Sequence, residues 1–298
     1  MFTDSIKGEK IGEGKTKINF AVIDLPNLIL MQYKNDITAF DDPAHTRQFD
    51  SKAEASTITT CQVFQLLKNA RIPTAFVSPF SGTEILMKRC QMIALEVVAR
   101  RYAVGSILKR RLEFARLEGT RPYKFAEAPL IEFFLKTSGG KFINLRGETC
   151  DLGLDHQRGE EDPFILDYHH NVWRLFHSKK RLNDPSADLE LNVAASMIVG
   201  DETERNIKTI VSTMIAVFLT LEGAWKKLGC HLIDLKVEFG FDSETGKILV
   251  ADTVDNDSWR LRDDQWRELS KESFRQGEPL AEVEEKYQLV AELAKKLC

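Results

Sequence analysis

The segment 232–262 reads LIDLKVEFGFDSETGKILVADTVDNDSWRLR and predicts a β-hairpin. Polar and apolar residues alternate along its first part. Asp234, Lys236 and Glu238 should therefore share one face of a strand, because side chains two residues apart point the same way. A turn and a second apolar run follow, and that run ends at Asp252. The segment thus joins a strand-forming pattern to a cluster of charges.

Glu238 falls opposite Asp252 if the loop of this hairpin comprises residues 243–247. Two facing carboxylates repel each other and require a counter-charge. A Mg²⁺ ion held by one or two carboxylates, with water and phosphate oxygens completing its shell, would supply that charge. Lys236 would then be available to an anionic substrate. The alternative is the solvated face of an ordinary half-exposed hairpin.

Composition bounds the class of protein. The 298 residues are 43% hydrophobic, which suits one large domain or two closely packed ones. A net charge of −4 argues against a general nucleic-acid binder. No run approaches the ~18 apolar residues of a membrane span, and residues 1–17 lack an apolar signal segment. The five cysteines show no CxxC spacing, so we expect reduced thiols. Together, these features predict a cytoplasmic protein without membrane or nucleic-acid partners. A homo-oligomer stays possible.

The rest of the chain predicts an α+β fold. Periodicity and chain breakers indicate strands at 18–23, 28–33, 74–78, 84–88 and 92–104 and helices at 51–71, from 201 to 229 and from about 279 onward. Residues 137–192 show poor periodicity over more length than an ordinary loop, and we interpret them as an insertion or active-site flap.

Two segments have the composition of phosphate contacts. Gly14-Lys15-Thr16-Lys17 fails the Walker A spacing, because Glu9 stands where that motif needs glycine. It is interpreted either as a glycine-rich turn laid over nucleotide phosphates or as a hairpin tip with solvated lysines. Further along, Arg100 ends a strand and Ser106 suits a helix N-cap, where a phosphate could bind.

The segment at Arg100 and a second arginine segment at 257–260 each have a plain structural alternative. The strand and turn at Arg100 could be an ordinary capped helix beside a surface arginine. Asp257-Ser258-Trp259-Arg260 could be a simple turn, or Arg260 could be a second clamp on the same anion. The histidines show no metal-ligand spacing, and we assign them neither catalysis nor metal.

Taken in order, these pieces resemble the phosphoribosylaminoimidazole-succinocarboxamide synthase (SAICAR synthetase) family over roughly residues 8–136 and 193–297. The spelling DNDSWRL is similar to the synthetase half of the animal bifunctional enzyme. The segments that carry the resemblance are the GKxK element at 14–17, the NDxTA loop at 35–39, the strand-and-turn at 100–106, the LxDxKxEFG strand at 232–240, Asp252 and the DSxR element at 257–260.

The resemblance implies an α+β fold of the SAICAR synthetase kind. Its parts would be a small antiparallel nucleotide-covering domain over 1–90, a hinge near 88–92 and a larger α+β domain over 91–298, with ATP in the cleft. The activity it implies is the ATP-dependent ligation of L-aspartate to the carboxylate of carboxyaminoimidazole ribotide (CAIR) through an acyl phosphate. The products would be SAICAR, ADP and phosphate in de novo purine biosynthesis.

The resemblance also implies roles for individual residues. It places Lys15, Lys17 and Lys136 at the nucleotide, with Met92 in the adenine hinge, and it places Glu238 and Asp252 on Mg²⁺. The ribotide phosphate would be bound by Arg100, Ser106 and Arg260. Lys236 would contact the substrate carboxylate or transferring phosphoryl group, and Asp36 and Asp41 would belong to the substrate loop.

Three features depart from the family pattern. Lys52-Ala53 stands where the family often has Lys-Gly, and the region 137–192 is longer than usual. The family's Asp-Pro element could be Asp162-Pro163 or Asp184-Pro185, and we favour the former. Because the flap would border the substrates, the amino-acid specificity stays open.

Overall fold

The structure is a computed structural model that describes residues 6–39 and 43–298. The chain folds into two compact units. Unit 1 comprises Met1–Cys90, Leu219–Leu232 and Phe241–Cys298, and unit 2 comprises Gln91–Phe218 and Ile233–Gly240. The first boundary between the units lies after Cys90, at the residue expected from the sequence. Residues 91–298 do not form a single unit, because 219–232 and 241–298 group with the N-terminal segment.

The mixed α and β elements expected from the sequence are present. The strands are β1 (Lys7–Glu13), β2 (Lys17–Val22), β3 (Leu28–Tyr33), β4 (Asp36–Thr38), β5 (Thr46–Gln48), β6 (Phe76–Ser81), β7 (Glu84–Lys88), β8 (Cys90–Met92), β9 (Leu95–Arg100), β10 (Leu130–Leu135), β11 (Lys141–Ile143), β12 (Thr149–Asp151), β13 (Phe164–Ile165), β14 (Val172–Phe176), β15 (Asp188–Ala194), β16 (His231–Asp242), β17 (Ile248–Ala251) and β18 (Trp259–Arg262). The helices are α1 (Lys52–Asn69), α2 (Ser106–Arg110), α3 (Ser196–Val199), α4 (Thr203–Lys227), α5 (Glu272–Arg275) and α6 (Leu280–Ala294).

Unit 1 contains an antiparallel sheet with the strand order β1-β2-β3-β7-β6. The small N-terminal sheet predicted from the sequence is therefore confirmed, with two further strands added after α1. Helices α1 and α6 share an apolar cluster in which the rings of Phe49 and Tyr287 meet edge to face at 5.3 Å. This cluster fixes the start of α1 and, with it, the buried side chain of Lys52.

Unit 2 contains a sheet with the strand order β15-β14-β13-β10-β9-β16, and β8 also pairs with β16. The neighbours β9, β10 and β16 are antiparallel. Strands β13 and β14 and most of β15 lie within 137–192, so this segment is more regular than its poor periodicity indicated. Its interpretation as an insertion or active-site flap stays a prediction. Its strands escaped detection because they are short and because the pairing of β14 with β15 shifts register at Leu175/Phe176.

The long helix α4 follows the predicted apolar stripe closely. It ends two residues before Gly229, whose positive φ of 75° suits a helix C-terminus. By length and mean hydropathy (1.5) α4 could cross a membrane, a test that core helices of globular proteins also pass. One face is buried in this structure and includes Ile207, Ile210, Met214, Val217, Phe218, Leu221 and Trp225.

The loop between β16 and β17 comprises residues 243–247, as predicted from the sequence. The backbone N–H of Asp242 donates to the carbonyl of Lys247 at 2.8 Å, and that of Gly246 donates to the carbonyl of Asp242 at 2.8 Å. Gly246 has a φ of 67°, a conformation that glycine adopts without strain. The facing of Glu238 and Asp252 across this hairpin stays a prediction.

Candidate active site

In unit 2 the predicted polar face of β16 lies beside β9, which carries Glu96 and Arg100 among apolar residues. Asp234 pairs with Arg100 of β9, and Lys236 pairs with Val98. Asp234 is 4% exposed and Glu238 is 6% exposed. The alternative of a solvated hairpin face is therefore wrong for both carboxylates. Buried carboxylates need compensation, so their partners identify the site.

Glu238 is compensated by two lysines. The ammonium of Lys136 donates to its carboxylate at 2.5 Å, and that of Lys236 lies 3.6 Å away. Lys236 also donates to Glu96 of β9 at 2.5 Å. Three residues predicted separately for nucleotide, substrate and metal are thus brought together: Lys136, Lys236 and Glu238. The lysine side chains are 46% and 37% exposed, so their ammonium groups can also meet a ligand.

Arg100 lies in the interior and is only 4% exposed, so it is no surface arginine. Its Nε donates to Glu132 at 2.5 Å, and its Nη1 donates to Asp234 at 2.7 Å and to the carbonyl of Val104 at 3.3 Å. Its Nη2 donates to Ser106 Oγ at 3.3 Å, which brings the two predicted phosphate ligands together. Nη2 carries a second N–H that can donate a hydrogen bond to an oxyanion.

Ser106 is not the N-cap that the sequence suggested. It is the first residue of α2, and the preceding Gly105 occupies the cap position without a side-chain hydrogen bond. Gly105 has φ 67° and ψ −134°, a conformation that essentially only glycine adopts. The turn is therefore built by glycine backbone freedom, and the hydroxyl of Ser106 is left to face Arg100.

Sequence reasoning missed Glu132 and Arg110, which complete this cluster. Glu132 accepts from Arg100 with one oxygen and from Arg110 with the other. Burial raises the pKa of Glu132, but the two guanidinium groups outweigh it and hold the pKa below its ordinary 4.5. A lone acidic residue inside the apolar strand LIEFFL was the available signal.

In unit 1 a second lysine–carboxylate pair joins predicted site residues. Lys17 Nζ donates to both carboxylate oxygens of Asp252, at 2.6 and 2.7 Å, and to Thr253 Oγ1 at 2.8 Å. Asp252 follows directly after β17 with a φ of 56°, so the backbone turns where its carboxylate is presented. The predicted turn between β1 and β2 is closed by Gly14 N–H donating to the Lys17 carbonyl at 2.8 Å, and Lys15 on it is exposed.

The substrate loop is described in part. Asp36 on β4 accepts from Gln48 at 2.6 Å and pairs with Lys34 at 3.0 Å. Burial raises its pKa, yet those two partners together bring the pKa below the ordinary 3.8. Asp41 lies outside the described residues.

A buried charge network in unit 1 surrounds the predicted DSxR element. Lys52 is fully buried and lies 3.2 Å from Asp257, which also accepts from the hydroxyl of Tyr287. Burial opposes ionisation of Asp257, but Lys271 and Lys52 together lower its pKa well below 3.8. Burial and the charge of Asp257 raise the pKa of the neighbouring Asp255. Sequence reasoning noted Lys52 only as part of a departure from a family pattern.

Three further predicted positions are Met92, Arg260 and the Asp-Pro element. Met92 is 41% exposed on β8, and Arg260 on β18 pairs with Glu272 at 3.2 Å. Asp162 accepts from the N–H of Thr137, next to Lys136, at 2.8 Å. Asp184 instead accepts from the N–H of Ser186 in a short 3-10 turn. Within 6–39 and 43–298, no group of three or more His, Cys, Asp or Glu side chains could hold a metal by itself.

Comparison with known proteins identifies one family throughout. The SAICAR synthetase family model matches residues 10–161 and 169–293, and the internal gap at 162–168 lies within the expected insertion. Multifunctional protein ADE2 of Gallus gallus is 36% identical over 96% of this chain, which spans 58% of that protein. A phosphoribosylaminoimidazole-succinocarboxamide synthase of Chloroflexus aurantiacus is 33% identical over 96% of both chains.

Solved structures agree in fold. A SAICAR synthetase in complex with ADP superposes with a TM-score of 0.68 at 26% identity, covering 95% of this chain and 96% of that one. The crystal structure of the synthase from Ehrlichia chaffeensis gives a TM-score of 0.69 at 24% identity, covering 97% and 99% of the two chains.

Proposed function

This chain belongs to the SAICAR synthetase family, and on that premise we propose that it ligates L-aspartate to the carboxylate of CAIR with ATP, giving SAICAR, ADP and phosphate in purine biosynthesis. The observation that carries the proposal is the near-complete match to the family model, which includes the whole charged segment of β16. The relative solved with ADP supports ATP as the nucleotide.

The reaction must activate a carboxylate before an amine can attack it. Transfer of the γ-phosphoryl group of ATP to CAIR gives an acyl phosphate, and the aspartate amine then displaces phosphate from it. Phosphoryl transfer depends on positioning and cationic stabilisation more than on covalent groups of the protein. The lysines beside Glu238 and Asp252 and the arginines beside Glu132 suit that demand.

Lys15, Lys17 and Lys136 are assigned to the nucleotide, and Met92 to the adenine hinge. Support comes from the turn between β1 and β2, which presents two lysines within four residues. Lysine binds phosphate as a mobile point charge, so Lys17 and Lys136 can leave Asp252 and Glu238 for phosphate oxygens.

Glu238 and Asp252 are assigned to Mg²⁺. Each carboxylate already carries a cation in this structure, Lys136 on Glu238 and Lys17 on Asp252. One or two protein carboxylates, with phosphate oxygens and water, are the ligands with which Mg²⁺ binds beside a nucleotide, so the donor set fits. Bound there, the ion would neutralise charge on the transferring phosphoryl group.

Arg100, Ser106 and Arg260 are assigned to the ribotide phosphate, and Lys236 to the carboxylate of CAIR. Nη2 of Arg100 and the hydroxyl of Ser106 converge within 3.3 Å, which is the arrangement of donors that an oxyanion needs. Asp36 and Asp41 remain assigned to the substrate loop without a defined contact to substrate.

A coupled assay of ADP release with CAIR and each of several amino acids tests the proposal. We expect ADP only when CAIR and L-aspartate are both present, and SAICAR as the product by its absorbance. A small-molecule kinase would release ADP with CAIR alone, and a silent nucleotide-binding protein would release none. Either of those results would refute the assignment.

A further inference from the structure

We propose that Glu132 is a positioning residue, which holds the Arg100 guanidinium in the one orientation that presents Nη2 to the ribotide phosphate. The proposal rests on the function assigned above, and it adds a residue that the predicted clamp did not contain. Glu132 makes no direct contact with substrate in this scheme. It acts through Arg100.

Strand pairing places Glu132 beside Arg100. On β10, Leu130 lies opposite Arg100, and Glu132 lies two residues further along the strand on the same face. On the other side of β9, Asp234 of β16 lies opposite Arg100. Arg100 is therefore flanked by carboxylates on both neighbouring strands. Its Nε and Nη1 edges are each held by a charged partner, at 2.5 and 2.7 Å.

Glu132 is itself fixed by Arg110. The Nη2 group of Arg110 donates to the second carboxylate oxygen of Glu132, and its Nη1 group donates to the carbonyl of Ser178 at 2.6 Å. The guanidinium carbon of Arg110 lies 4.6 Å from the centre of the Phe164 ring, which restricts its rotation. Both oxygens of Glu132 are thus committed, and the carboxylate cannot turn away from Arg100.

The four charges of this cluster balance one another. Arg100 and Arg110 carry two positive charges, and Glu132 and Asp234 carry two negative charges. All four residues are at most 4% exposed. A neutral buried set is tolerated without ligand. Nη2 donates to Ser106 Oγ at 3.3 Å, and its second hydrogen can be donated to an oxyanion bound beside Ser106. Without Glu132, the guanidinium would rotate toward Asp234 and Nη2 would move away from Ser106.

Glu132→Gln tests the proposal. The variant keeps the shape of the side chain, but its amide N–H groups would oppose the donors of an arginine. We expect the KM for CAIR to rise roughly 10- to 100-fold, the range for loss of a charge-assisted hydrogen bond, with kcat and the KM for ATP near wild type. A role in folding alone would lower thermal stability without this selective change in KM.

Two further variants keep the result interpretable. Glu132→Asp retains the charge but is one methylene too short to reach both arginines, so an intermediate KM for CAIR is expected. Glu268→Gln is the matched control, because Glu268 is 8% exposed and is bonded to Arg262 at 3.3 Å. It should lower Tm and leave the KM for CAIR unchanged.

The outcomes separate this proposal from the function on which it rests. Wild-type enzyme that fails to turn over CAIR with L-aspartate would overturn the function. Active wild-type enzyme, together with folded Glu132 variants whose KM for CAIR equals that of wild type, would overturn the positioning role alone.

Discussion

The substitution Glu238→Gln separates a role in metal binding from a role in stability. Glu238 is 6% exposed, but the side chain of its nearer partner, Lys136, is 46% exposed. An ion pair with a half-exposed lysine contributes about 0–1 kcal/mol, because water screens it. At roughly 2–4 °C per kcal/mol for a large domain, the variant should lose no more than about 4 °C in Tm.

Turnover should fall much further than stability. Glutamine keeps the shape of Glu238 and one of its oxygens, but it lacks the negative charge that Mg²⁺ prefers in a ligand. A bound metal ion stabilises a transferring phosphoryl group by several kcal/mol. Losing about 4 kcal/mol of that stabilisation lowers kcat/KM roughly 10³-fold. Coupled ADP release at varied Mg²⁺ and calorimetric Tm measure the two effects.

Glu84→Gln is the matched control for this experiment. Glu84 is 8% exposed and accepts from Lys7 at 2.7 Å, so its environment is close to that of Glu238. We expect the control to show a similar change in Tm and wild-type turnover. If Glu238→Gln kept its turnover within tenfold of wild type at saturating Mg²⁺, the metal assignment would be refuted.

Four more substitutions test other residues of the clusters. Asp252→Asn should lower turnover at least about 100-fold and raise the Mg²⁺ concentration for half-maximal rate. Lys17→Gln should instead mainly raise the KM for ATP. Kinetics with Mg²⁺ and ATP varied separately distinguish the two effects. Lys236→Gln should lower the single-turnover rate at saturating CAIR without changing ADP affinity, and an unchanged rate would remove Lys236 from the reaction. Asp257→Asn should destabilise the protein by about 3–5 kcal/mol at pH 7, because buried Lys52 loses its partner. Since folding lowers the pKa of Asp257, its contribution is present above its ordinary pKa of 3.8 and declines as the pH falls below that, so the Tm difference from wild type should shrink in acid.

Local patterns in the sequence predicted most of the fold. The stripe of α4, strand β7 and the alternation along β16 were recovered nearly to the residue, because each reflects a periodicity of its own backbone. Strands β13 to β15 were missed, since two to seven residues with a register shift carry little periodic signal. The grouping of Phe241–Cys298 with the N-terminal segment follows from packing between residues distant in sequence, which no local pattern encodes.

The candidate site was predicted by residue type more than by contact. Arg100 and Ser106 do meet, but the partners that hold Arg100 are Glu132 and Asp234. Glu132 lies 32 residues from Arg100 and reaches it only through the pairing of β9 with β10. Likewise, the bond from Lys17 to Asp252 spans 235 residues. Such pairs depend on strand order and register, which the sequence by itself does not state.

The lysine–carboxylate pairs have a consequence for how ligands enter. Mg²⁺ arriving alone at Asp252 would face the ammonium of Lys17 held 2.6 Å from that carboxylate, and phosphate arriving alone would face the carboxylate itself. Under the proposed assignment of Asp252 to Mg²⁺ and Lys17 to the nucleotide, the two ligands arriving together would exchange partners, with carboxylate on metal and ammonium on phosphate. Mg²⁺ and nucleotide should therefore bind with positive thermodynamic linkage, each raising the affinity of the other by the same factor. On that assignment, the pair would make the protein selective for the metal–nucleotide complex over either component.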